Sequence, residues 1–260
     1  LQRRDNGRCV PFKRVVIETS GLADPAPILQ TLMTDANIAG RFVLGGVVTT
    51  VDAVNGASTI EHEGVSQKQI AVADRIVLTK LDMAGPTKPA LLRRLQEFNA
   101  GAPVHVADHG RIDPLIVFNA GLYDPQTKSI DVVSWLPEET HGHARHDADI
   151  KTYALVREQP IRAATLALFL EALAEHCGAD LLRLKGIVNI VESPDRPTVI
   201  HGVQHVFHAP AWLDRWPSDD RRSRIVFITR RIPQRWVEVL LEAIDAEVAD
   251  VLDGRSSSFT

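Results

Sequence analysis

The chain has 260 residues, 45% hydrophobic and 24% charged, with a formal net charge of −4. That size and balance suit one large or two ordinary globular domains and give no global bias toward nucleic acid or an anionic membrane. Two cysteines, Cys9 and Cys177, are too few and too far apart for a disulfide framework, and no apolar run is long enough to cross a bilayer; a reducing cytoplasm is the simplest compartment.

Residues 14–20, RVVIETS, form a short β-branched run that predicts a buried strand feeding a functional loop. A Gly- and Pro-rich turn follows from Gly21, then a helix over 27–34. Residues 42–51, FVLGGVVTTV, read as a second strand. Helical character over 66–73 precedes a third strand at 75–79, RIVLT. Apolar spacing at Leu91, Leu92, Leu95 and Phe98 predicts a helix over 87–98, and 104–107 reads as a fourth strand. Strands alternating with helices imply a parallel, doubly wound sheet with ligands at the carboxyl ends of its strands. Glu18, the segment from Thr79 and the segment Asp108–His109–Gly110 all fall at such ends.

From about Leu122 to Asp149 the sequence turns polar and loses periodicity, as a linker does. Beyond it come a strand over 150–157, a helix over 163–177, strand-like runs at 182–191, 198–207 and 224–229, and a helix over 234–248. Strands grouped between two helices predict a smaller α+β domain with an antiparallel sheet. The fold class is therefore α/β, a partial doubly wound parallel sheet followed by an α+β unit. The expected domains are 1–121, a linker at 122–149, 150–250, and a tail at 251–260.

Two motifs carry chemistry. In VVIETSGLADP, a strand ends in the carboxylate of Glu18, and Gly21 follows closely. A nucleotide hydrolase needs a carboxylate for Mg²⁺ or its water shell and a backbone N–H that approaches the terminal phosphate unobstructed. The ordinary alternative is an exposed Glu and a turn glycine. In TKLD, Asp82 can accept both adjacent N–H donors of a guanine, as a carboxylate does with a guanidinium, while the stem of Lys80 covers the base face. On its own, K-x-D is most often a solvated pair; behind a buried strand and downstream of VVIETSG it gains weight.

The order ETSGLADP, VVTTVDA, IAVADRIVLTKLD and LLRLKGIVNI resembles the CobW family of P-loop GTPases, the CobW/HypB/UreG class of metallochaperones, over about Phe12 to Ala246. The resemblance implies that Glu18 and Gly21 belong to the metal and γ-phosphate switch and that Thr79, Lys80 and Asp82 read guanine. Thr79 departs from the usual Asn. Asp108 and His109 fall where the last base-side loop would lie. Implied with these are GTP, Mg²⁺, a transported Zn²⁺ or Co²⁺, a client metalloprotein, a role of the kind cobalamin biosynthesis requires, and a homodimer as one assembly. Nucleic acid and membrane are not expected partners.

The family's Gly-rich phosphate loop and C-x-C-C motif lie upstream of these segments, and neither pattern occurs in the 260 residues. Together with a first residue that is Leu, this leads to the expectation of an N-terminally truncated chain that binds GTP weakly and hydrolyses it negligibly. Cys9 reads as an ordinary loop thiol. His141, His143 and His146, in HGHARH, form a third constellation: three imidazoles in a linker make an open, exchangeable site for Zn²⁺, Ni²⁺ or Co²⁺, or simply a solvated linker. Arg183 and Lys185 in LLRLKGIVNI read as charges at strand ends and on a solvated sheet face. A different class of function also remains open, a non-catalytic metal- or partner-binding module with a vestigial nucleotide site.

Overall fold

The computed structural model describes residues 6–84, 88–118, 150–252 and 254. The first half is built on a parallel sheet of β1 (Val48–Asp52), β2 (Arg75–Thr79) and β3 (Val104–Val106), in that order. Register aligns Asp52 with Thr79 and Leu78 with Val106, so the three strands end on one edge. Around the sheet lie α1 (Pro25–Thr34), the short α2 (Ala36–Ala39), α3 (Gly56–His62), α4 (Gly64–Val72), α5 (Lys88–Phe98) and the short α6 (Pro114–Phe118). Asp24 caps α1 by accepting from the Ala26 amide, and Pro25 occupies the first helical turn, where a missing N–H costs nothing.

The expected strand over 14–20 does not form. The segment has no regular structure and no ladder partner among the described residues, and Val15, Val16 and Ile17 are exposed. β-branched composition favours a pleated surface but cannot supply the neighbouring strand that makes one. The second expected strand is likewise confined to its last part, Val48–Asp52: Gly46 turns at φ 143° and Val43 points into solvent.

The second half is an antiparallel sheet in the order β4 (Ile150–Arg157), β9 (Ser223–Arg230), β5 (Leu181–Val188), β6 (Thr198–Val203), β7 (Val206–Phe207), with β8 (Ala211–Trp212) also pairing with β6. The run expected over 198–207 is two strands, broken by a tight turn in which Gln204 takes a φ of 53°. Two helices, α7 (Ala163–Cys177) and α8 (Gln234–Leu252), cover one face. Their Phe169, Leu173, Val237 and Leu241 pack on Tyr153, Leu184, Ile225 and Phe227. The rings of Tyr153 and Phe227, opposite each other in register, stack 5.4 Å apart.

The other face of this sheet is buried too. Ile150, Leu182 and Ile228 join a core with Ile70, Ala71, Ile76, Leu78, Leu91 and Leu95 from the first half. Side chains alternate between faces along a strand, so Phe227 serves one core and its neighbour Ile228 the other. Burial on both faces explains why IVFIT reads as an unbroken apolar run rather than an alternating one.

Candidate nucleotide site

At the carboxyl edge of the parallel sheet, β2 runs directly into Thr79, Lys80 and Asp82. Lys80 takes a left-handed backbone conformation, φ 56°, which turns the chain sharply at the strand end. Its ammonium lies 2.7 Å from the carboxylate of Asp52, the last residue of β1. Asp52 is fixed in turn by the Val54 amide at 2.7 Å and by the backbone and side-chain amides of Asn55, both at 3.3 Å. The Lys80 hydrogen bond is the main reason the Asp52 carboxyl is held down at about 2; partial burial opposes it and the Val54 and Asn55 contacts reinforce it. Thr79 Oγ1 donates to the Val51 carbonyl at 3.4 Å, a bond to the neighbouring strand rather than to another loop.

The loop after β3 meets this turn. His109, also left-handed at φ 47°, places Nδ1 2.7 Å from Asp108 and Nε2 3.8 Å from Asp82. The hydrogen bond and charge of Asp108, then the charge of Asp82, raise the His109 imidazole above its ordinary value. Asp82 remains half exposed. It is an acceptor-only carboxylate, able to receive two parallel N–H donors. The structure thus brings Thr79, Lys80, Asp82, Asp108 and His109 together, and it adds Asp52. The sequence offered one signal for Asp52, a carboxylate closing a β-branched run in VVTTVDA.

No hydrogen bond or ion pair among the described residues joins Glu18 or Gly21 to Asp82 or Asp108. Glu18 is exposed, on irregular chain rather than at the tip of a buried strand. The following loop is nevertheless held. Gln69 Nε2 of α4 donates to the carbonyls of Gly21 (3.2 Å) and Ala23 (2.9 Å), and Lys68 of α4 pairs with Asp24 at 2.5 Å. A Cβ built on Gly21 would meet nothing within 4 Å, so no packing inside the chain demands glycine there. Its backbone stays open to approach from outside.

Asp82 thus presents a half-exposed acceptor carboxylate at this edge. Among the described residues, the loop after Glu18 supplies the open backbone of Gly21 and no glycine-rich lysine cradle. His141, His143 and His146 lie outside the described residues. Among the described residues, no cluster of three or more His, Cys, Asp or Glu could hold a metal, and Cys9 and Cys177 are free thiols. No helix among them is long and apolar enough to cross a membrane.

Arg183 and Lys185 correct the expectation most sharply. They do not solvate a sheet face; Arg183 is buried, Lys185 is mostly so, and both converge on the carboxylate of Asp74, 109 and 111 residues away in sequence. Asp74 follows α4 and also accepts from the Val47 amide at 2.8 Å. Burial alone would raise its carboxyl, but the charges of Arg183 and Lys185, with hydrogen bonds from Lys185 and Val47, outweigh that and hold it at about 2. Elsewhere in this half, Trp216 packs against Ile187, Val199 and Leu213 and donates to the Pro194 carbonyl at 2.7 Å, while Trp212 is exposed.

A parallel sheet with its ligand edge at β1–β3, followed by an antiparallel sheet under two helices, defines a nucleotide-binding α/β protein with an appended α+β unit. Residues 2–106 match the CobW/HypB/UreG nucleotide-binding domain and residues 150–245 the cobalamin synthesis protein cobW C-terminal domain. The zinc chaperone YjiA of Escherichia coli (strain K12) is 34% identical over 234 residues, 90% of this chain and 71% of that protein. Zinc-regulated GTPase metalloprotein activator 1 of Schizosaccharomyces pombe is 31% identical over 114 residues, 43% of this chain and 27% of its own length. The crystal structure of Zn(II)-bound YjiA GTPase from E. coli superposes with a TM-score of 0.76 at 30% identity, covering 94% of this chain and 74% of that one. The chain belongs to the CobW family, within the CobW/HypB/UreG class of P-loop GTPases.

Proposed function

We propose that this chain is the base-reading and switch part of a GTP-dependent metal chaperone that delivers a divalent metal to a client protein. The observation that carries the reading is the convergence of Asp82, Lys80 and His109 at one sheet edge, with Asp52 holding the lysine. Zn²⁺ is the favoured cargo: relatives are named a zinc chaperone and a zinc-regulated GTPase metalloprotein activator. Co²⁺ is the alternative. Asp82 reads guanine, Thr79 anchors its turn to β1, Asp108 orients His109 at the pocket rim, Glu18 holds Mg²⁺, and Gly21 meets the terminal phosphate. GTP orders the segment around Glu18 and hydrolysis releases it, as in other nucleotide switches. The 260 residues include no G-x-x-x-x-G-K-[ST], so the backbone cradle and lysine that neutralise a triphosphate are not supplied by this chain, and its own turnover is negligible. His141, His143 and His146 form an exchangeable metal site in a linker over 122–149 that joins a GTPase unit (1–121) to a C-terminal unit (150–250). The two free thiols suit a reducing cytoplasm.

Competition among GTP, XTP and ATP against a fluorescent guanine nucleotide tests the reading. GTP displaces the probe at millimolar concentration and ATP does not. Asp82→Asn moves preference toward XTP, because an amide can donate to the carbonyl that xanthine presents where guanine has its amino group. Indifference to the base, or no displacement by any guanine nucleotide, removes the assignment. Zinc titration against a variant with His141, His143 and His146 all replaced by Ala tests the linker: unchanged stoichiometry and affinity would exclude it.

A further inference from the structure

The reading above leaves unexplained why the C-terminal sheet grips one helix of the nucleotide-binding half. Helix α4 is held along its second half and at its carboxyl end. At its carboxyl end, the buried Asn99 side chain donates to the carbonyls of Ile70 (2.8 Å), Ala71 (3.2 Å) and Ala73 (2.9 Å). The next residue, Asp74, takes Arg183 and Lys185 from β5. In its middle, Thr49 of β1 donates to the Gln69 carbonyl at 2.7 Å. The side chains of Lys68 and Gln69 hold Gly21, Ala23 and Asp24. About one turn of helix therefore connects the glycine of the switch segment to a buried ion cluster in the other half. A second route runs beside it: α1, which begins immediately after Asp24, rests on β6 and β7, and the charge of Arg230 on β9 reaches Asp24.

We propose that α4 is the coupling element between the Gly21–Asp24 segment and the C-terminal sheet, with Gln69 and Lys68 as positioning residues and Asp74 as the joint to Arg183 and Lys185. Displacement of the segment moves Gln69 and Lys68. Because the helix is short and its end is capped by Asn99, that displacement reaches Asp74 as a rigid shift rather than being absorbed by fraying. A buried carboxylate shared by two cations and a backbone amide tolerates little displacement before a bond is lost, so the joint has discrete arrangements rather than a continuum. Linkage makes the effect reciprocal: whatever the C-terminal sheet binds alters the segment by the same free energy. The proposal rests on the segment being the nucleotide-responsive one, and the experiment separates the two ideas.

Backbone amide resonances of Gly21 and Ala23 report the segment, and those of Lys185 and Gly186 report β5. Two variants perturb one end each. Gln69→Ala with Lys68→Met frees the segment from half-buried positions. Asp74→Leu with Arg183→Met and Lys185→Met replaces the joint by apolar groups, a change that commonly preserves folding where removal of one ion would not. Coupling requires each variant to shift the resonances at the far end, Lys185 and Gly186 in the first and Gly21 and Ala23 in the second. Shifts confined to residues touching the substituted side chains overturn it. GTP is then added to the unaltered chain. Movement of both ends sustains the coupling and the nucleotide reading together. Far-end shifts in the variants, with neither end responding to GTP, sustain the coupling and overturn the nucleotide reading.

Discussion

Lys80 Nζ and the carboxylate of Asp52 meet at 2.7 Å across the ends of two adjacent parallel strands. The contact ties the head of the lysine to the end of β1. A long side chain at a left-handed position would otherwise sample many rotamers, and each would have to be abandoned when a base arrives.

Replacing Asp52 by Ala therefore weakens guanine-nucleotide binding, by roughly three- to tenfold, or about 1 kcal/mol. Thermal stability changes little, since a partly exposed ion pair contributes about 0–1 kcal/mol. Titration with a fluorescent guanine nucleotide beside a melting curve separates the two effects. Unaltered affinity would show that Lys80 needs no anchor.

Gly21→Ala has the opposite diagnostic value. Nothing inside the chain lies within 4 Å of the added methyl group, so melting is expected to shift by no more than about 2 °C. A phosphate approaching the backbone would meet that methyl group directly. Loss of nucleotide affinity without loss of stability locates the phosphate at Gly21; retention of affinity places it elsewhere.

His109 is fully exposed, yet Asp108 and Asp82 favour its imidazolium. Its titration followed by NMR lies above the ordinary histidine value, and Asp108→Asn moves it back down. A base whose recognition gains from a charged His109 binds more tightly below this titration than above it. An unshifted titration in the unaltered chain would mean that the 2.7 Å contact is absent in solution.

Asp74→Asn leaves two buried cations with a neutral partner and is expected to cost about 3–5 kcal/mol, measured by denaturant unfolding near neutral pH. The acid limb has the same origin. The carboxyl is held at about 2 in the fold, below its ordinary 3.8, so its contribution is fully present above about pH 4 and is lost as pH falls from there toward 2. Stability that stays flat across that window would contradict the ion cluster.

Local pattern made much of the fold legible. Residues 75–79, 150–157 and 163–177 have the bounds that apolar periodicity predicts, because each buries a face whose period the sequence carries. The placement of Thr79, Lys80 and Asp82 at a strand end was legible for the same reason: TKLD directly follows a strand whose burial is unmistakable. Residues 14–20 mislead because a strand requires a neighbour, and their composition records only the preference. Arg183 and Lys185 mislead because two cations in a strand carry no mark of the acid they meet, which lies more than a hundred residues earlier. Gln69 gave no signal at all, since a glutamine facing backbone carbonyls looks the same in sequence as one facing water.

The apolar core that unites Ile150, Leu182 and Ile228 with Leu78, Leu91 and Leu95 has a consequence for how the molecule comes apart. Neither sheet can shed the other without exposing side chains that both depend on. The two halves are therefore a single cooperative unit in unfolding, and a partner that pries them apart must offer apolar surface of its own in exchange.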